Sequence, residues 1–101
     1  MKNLVIADFP IKPGKTQDMT NLLLEILPDT RSYKGCLSLE LYFNESANTY
    51  TLIEDWDSLA DYSLYVEWRK ATGLFELFDA LIIGGAAGIQ MHQHGKSIAN
   101  Y

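Results

Sequence analysis

Only one cysteine, Cys36, stands among the 101 residues, so no disulfide can close within the chain. A lone thiol fits a reducing compartment, and a cytoplasmic location is expected. Cationic residues are scarce: 8 Lys and Arg against 13 Asp and Glu leave a net charge of −5. Phosphate backbones and anionic lipid surfaces both demand clustered Lys and Arg, and no basic patch is visible. Neither nucleic acid nor a membrane is therefore an expected partner. Long apolar runs are lacking as well. The longest, Ala80 to Ile89, falls far short of the ~20 residues that a spanning helix needs. The opening MKNLVIADFPIKPG has no long apolar core and no small-residue cleavage site, so no signal peptide is read there. Repeats, low-complexity segments and a linker are also missing.

Hydrophobic residues at 48 % and charged residues at 21 % are ordinary for a globular protein. The length suits one domain over residues 1–101. A chain of this size buries about two-thirds of its unfolded surface, so association would help it.

Leu4-Val5-Ile6-Ala7 is a short apolar block that reads as a first strand ending near Phe9-Pro10. Both of its faces are apolar, which predicts burial on both sides. After the Pro13-Gly14 turn the period changes. Met19, Leu22, Leu23, Ile26 and Leu27 form one helical stripe from about Thr16, with Thr16 or Gly14 as its cap. Pro28 is expected to end or kink this helix, because it lacks an N–H and crowds the preceding turn. Cys36 to Phe43 alternates as a strand, and the turn-rich Asn44 to Asn48 leads into a returning strand, Thr49 to Trp56. Ser58-x-x-Asp61 resembles a capping box at the start of a second helix. Thr72-Gly73 is a break, Leu74 to Ile83 a further helical piece stopped by Gly84-Gly85, and Ile89 to His94 a last strand. The order β-α-β-β-α-β predicts an α+β, ferredoxin-like antiparallel sheet with helices on one face. Leu4, Ile6, Leu37, Leu39 and Ile53 leave few ways to make either sheet face polar. The expected remedy is a homodimer that packs sheet on sheet.

Several of these segments together resemble the antibiotic biosynthesis monooxygenase family. Pro13-Gly14-Lys15 is similar to the family's entry to its first helix, and Thr30-Arg31 with Gly35-Cys36 to its TR…GC segment. Leu52-Ile53-Glu54-Asp55-Trp56-Asp57-Ser58 resembles its E-x-W-x-S signature, and Phe75…Phe78 before a final strand also fits. The resemblance covers most of the chain. It implies a dimeric α/β barrel and cofactor-independent oxygenation of a small aromatic phenol or hydroquinone. Members commonly carry a His nine residues after that Trp; this chain has Tyr65 there. The haem-degrading branch uses an Asn in the first strand and a His, where this chain offers Ala7 or Asp8 and no such His.

On that resemblance, Trp56, Tyr62 and Tyr65 are the candidate catalytic residues. Trp68, Arg69, Glu54 and Phe78 would bind substrate. Trp56 would line the cavity and stack on an aromatic substrate, or simply anchor the helix. The two tyrosines could donate to a substrate oxygen, or be half-buried phenols. Arg69 suits an anionic oxygen. Glu54 shares a sheet face with Trp56 and could serve as a base, or pair structurally with Arg31 or Arg69. His92 and His94 share a face, but no third ligand is apparent and no metal is expected. The resemblance implies no cofactor, and Gly84-Gly85-x-x-Gly88 follows a helix and not a strand, so the dinucleotide fingerprint does not apply. Two other readings stay open: a non-catalytic small-molecule binding or sensing module, and an isomerase or lyase working by proton transfer.

Overall fold

The computed structural model describes residues 3–101. Strands β1 (Asn3–Pro10), β2 (Cys36–Asn44), β3 (Thr49–Trp56) and β4 (Gln90–Gln93) form one open sheet. Their order is β2-β3-β1-β4, and every neighbouring pair is antiparallel. Helices α1 (Thr16–Ser32), α2 (Leu59–Thr72) and the short α3 (Leu74–Asp79) complete the ferredoxin-like α+β arrangement. The two central strands alternate strictly between buried and half-buried residues. Val5, Ala7, Phe9, Tyr50, Leu52, Glu54 and Trp56 therefore face the helices. Leu4 and Ile6 are only half-buried, so the expectation that β1 is buried on both sides does not hold within one chain.

Pro28 neither ends α1 nor stops its last turn. The helix runs four residues further, to Ser32. The ring sits on the exposed side of the helix. Beyond it Thr30, with no exposed surface, is tied to α2 by side-chain hydrogen bonds. These bonds and the burial of Thr30 oppose the loss of one helical N–H. No side chain caps the helix start, which lies at Lys15; Thr16 instead donates its hydroxyl to Asn48 Oδ1.

A bulge between Cys36 and Ser38 pushes Leu37 out of the inward row of β2. Leu39 and Leu41 stay in that row and pack on the core. Ser58 caps α2 as its sequence suggests, accepting the Asp61 N–H at 3.0 Å. Gly73, at φ +84°, ends that helix in the left-handed conformation that glycine tolerates best. The next helix stops at Asp79, ahead of Gly84-Gly85. Residues 81–83 leave it and bond to the end of β1 and the residues just after it: Lys12 N donates to Leu81 O and Ile83 N to Pro10 O. The final strand is shorter than Ile89 to His94 and is exposed along its length. Among the described residues no helix is long and apolar enough to cross a membrane.

Two packed clusters lie between sheet and helices. One is built from Phe9, Met19, Leu23, Leu52, Phe78 and their neighbours. The other holds Val5, Cys36, Trp56, Tyr62 and Tyr65, with Tyr33 and Trp68 packed against it.

Candidate functional site

Where the two clusters meet, β1, β3 and β4 with α1, α2 and α3 line a partly open cavity of about 60 Å³. That is small beside the ~300 Å³ of a typical drug-sized ligand site, so the enclosed part suits a compact group. Its walls are largely apolar, among them Phe78, Phe75 and Met91. The polar groups that reach it are Glu54, Tyr62, Tyr65 and Arg69.

Glu54 comes from β3, on the face turned to the helices, and is 4 % exposed. Its Oε1 accepts the indole N–H of Trp56 at 2.7 Å. Burial pushes its carboxyl pKa up to about 7, although the Trp56 N–H and the Arg69 charge both pull the other way. A carboxyl poised there can both take and return a proton near neutral pH.

Arg69 is 5 % exposed. Its Nε donates to Tyr65 Oη at 2.9 Å, and its Nη2 donates to Ile26 O at 2.8 Å and Thr30 Oγ1 at 2.9 Å. The guanidinium lies 4.5 Å from the centre of the Trp68 ring, a cation–π contact. No carboxylate stands within salt-bridge distance of it among the described residues, so the expected pairing of Glu54 with Arg69 is a longer-range attraction. Tyr65 is locked between Arg69 and Thr30, whose hydroxyl lies 2.6 Å from its own. Burial also drives both tyrosine hydroxyls towards their neutral forms. The Tyr62 hydroxyl makes one weak contact, donating to Met91 Sδ at 3.8 Å.

Five of the seven residues singled out from sequence thus line one cavity: Glu54, Tyr62, Tyr65, Arg69 and Phe78. Trp56 and Trp68 do not. Trp56 has no exposed surface and sits edge-on to Tyr62, behind Glu54. Its polar handle aims the carboxyl instead of touching an occupant. Trp68 stacks on Tyr33 and backs Arg69. Thr30 and Met91 were not among the candidates. A signal for Thr30 existed, since Met19, Leu23, Leu27 and Thr30 continue one buried helical stripe, but the expected stop at Pro28 cut it short. His92 and His94 lie away from the cavity lining. Among the described residues no three His, Cys, Asp or Glu gather closely enough to hold a metal ion. Burial pushes the Cys36 thiol up to about 11, which suits an inert packed side chain.

Residues 4–71 match the family model for antibiotic biosynthesis monooxygenase. Solved structures share the fold at low identity. A Shewanella oneidensis protein is 21 % identical, with a TM-score of 0.80 over 94 % of this chain and 90 % of its own. A conserved protein of Methanosarcina mazei is 19 % identical, with a TM-score of 0.81 over 96 % and 94 %. An antibiotic biosynthesis monooxygenase structure is 22 % identical, with a TM-score of 0.79 over 94 % and 98 %. No curated protein matches the chain.

Proposed function

Because the chain belongs to the antibiotic biosynthesis monooxygenase family, we propose that it oxygenates a small phenol or hydroquinone without a cofactor. The observation that carries this reading is one cavity holding both Glu54, a base poised at about 7, and Arg69, a cation without an ion-pair partner among the described residues. Glu54 would take the hydroxyl proton of a phenol, and Arg69 would hold the resulting anion. The phenolate then passes one electron to dioxygen, and the two radicals join through a new carbon–oxygen bond. Glu54 returns its proton to the peroxide. It next takes the ring C–H proton as the O–O bond breaks, leaving a quinone carbonyl and hydroxide, which that proton turns into water. Phenol and dioxygen thus become quinone and water, and no outside reductant is needed. Tyr62 and Tyr65 would donate to substrate oxygens, while Trp56 and Trp68 would hold Glu54 and Arg69 in place.

We also assign this activity to a homodimer. Leu4, Ile6 and Ile53, half-buried on the sheet face away from the helices, are the apolar residues a second copy would cover.

The test is oxygen uptake with a panel of phenols, hydroquinones and anthrone-like compounds, each with an anaerobic control. Uptake should rise with pH through about 7 as Glu54 ionises. Glu54→Gln should lower it by about 10²–10⁴-fold. Product formed without oxygen would favour an isomerase using the same Glu54, and binding without turnover would favour a sensing module.

A further inference from the structure

Of the three methionines, Met1 lies outside the described residues and Met19 has no exposed surface. Met91 differs from both. It is 40 % exposed, and it also lines the cavity. It stands on the edge strand β4, opposite Ala7, and so on the face turned to the helices. Its Sδ accepts the Tyr62 hydroxyl across 3.8 Å. Tyr62 is buried, and its hydroxyl has no other hydrogen-bond partner among the described residues. Burial also keeps that phenol neutral, so it remains a donor. A thioether is a weak acceptor, so a buried O–H here meets a partner poorer than it could use.

A peroxide would change this pair. The sulfur lone pair attacks one oxygen of hydrogen peroxide, the O–O bond breaks, and the proton of the attacked oxygen passes to the leaving one, which departs as water. The sulfur gains an S–O bond and loses two electrons, and the peroxide takes them. Set about 1.5 Å from the sulfur and about 2.7 Å from the phenol oxygen, the new oxygen spans the 3.8 Å gap with a bend of about 125° at itself, a good angle for an acceptor. A sulfoxide placed in an apolar core disrupts it, because its oxygen finds no donor. Here a buried donor is already in place.

We propose that Met91 is a reversible oxidation site, and that its sulfoxide, held by the Tyr62 hydroxyl, clamps β4 to α2 and withdraws Tyr62 from the chemistry of the cavity. The strong acceptor replaces a weak one across the joint between an edge strand and a helix that are otherwise joined by few contacts. The oxidation and the clamp stand apart from the proposed function. Only the loss of turnover rests on that reading, in which Tyr62 donates to a substrate oxygen.

The whole protein is treated with hydrogen peroxide, and peptide mass mapping follows the gain of one oxygen atom. Met91 should be oxidised at least about tenfold faster than Met19, which peroxide reaches only when the core opens. Deuterium exchange of the β4 amides should then slow by about tenfold, the worth of one good hydrogen bond. Methionine sulfoxide reductases for the two epimers should return the exchange to its starting rate. In Tyr62→Phe, oxidation of Met91 should no longer slow β4, and Met91→Leu should make β4 indifferent to peroxide. Oxidation of Met91 no faster than of Met19, or β4 amides that exchange as fast or faster once it is oxidised, overturns the proposal. So does slowing that persists in either variant. The first two readouts need no variant, so a misfolded mutant cannot obscure them. On a substrate that supports oxygen uptake, the oxidised protein should work at least about tenfold more slowly. No uptake on any phenol, with β4 still clamped by oxidation, would sink the oxygenase reading and leave the clamp standing. Uptake by the untreated protein, with β4 unmoved by oxidation, would do the reverse.

Discussion

The two clusters beneath the sheet are built from the same strands and differ in kind. Around Met19 and Leu23 the packing is nearly all hydrocarbon. Around Trp56 and Tyr65 the rings alternate with buried polar groups: Asn3, Thr30, Glu54 and Arg69 are all under 9 % exposed. Hydrocarbon burial adds stability in proportion to area, whereas a buried charge costs stability unless its partners are in place. At the aromatic end the partners are an indole N–H, a backbone carbonyl and two hydroxyls, and one arm of each charged group is left over. The chain therefore appears as a stabilising half and a half that spends stability on reactive groups.

Breaking the hydrocarbon half should give the largest effect. Met19→Ala removes a side chain with no exposed surface that does not line the cavity. Denaturant unfolding should show a loss of about 2–5 kcal/mol, with the midpoint of the pH–rate profile unmoved. A shifted midpoint would mean that the two halves are coupled.

Glu54 makes the opposite case. Its pKa is raised from 4.5 in the unfolded chain to about 7 in the fold. As pH rises between these values the unfolded state gives up this proton first, so the folded state is the one that binds it. Stability should fall across that window, by up to ~3 kcal/mol from this group. The difference between wild-type and Glu54→Gln unfolding curves should follow the same window, with the variant gaining on wild type at higher pH. A flat difference would place the carboxyl in water.

Trp56→Phe should give the smallest change and the finest resolution. It keeps most of the ring packing but removes the N–H that lowers the Glu54 pKa. The pH–rate midpoint should move to higher pH, because the charged carboxylate has lost its donor. A midpoint unchanged or moved to lower pH would contradict the aiming role given to Trp56.

Much of the architecture was legible in the chain itself. Alternation in β3, the helical stripe from Met19 and the Ser58 cap are local signals, and each element they mark is present. Local signals misled where distant contacts decide. Pro28 reads as a stop, yet the turn after it is held by Thr30 reaching Tyr65 and Arg69 thirty-five and thirty-nine residues away. Gly84-Gly85 reads as a helix end, yet the helix ends earlier, and the residues after it bond to Lys12 and Pro10. In the site, the i, i+2 spacing correctly put Glu54 and Trp56 on one face. It could not say which of the two meets the cavity, because that depends on how far α2 stands from the sheet. Nor could it show that Arg69 is held by neutral acceptors, since carbonyl oxygens carry no sequence signature.

The last strand carries a consequence of its own. β4 pairs only with β1, all four of its residues are exposed, and its Met91 forms part of the cavity wall. Its amides should exchange with deuterium well before those of β1 and β3, which are paired on both sides. Each such opening would peel Met91 off Tyr62 and widen the access of bulk water to Glu54. On the proposed chemistry, the rate at which this edge frays then limits how long a phenolate inside can stay shielded from water.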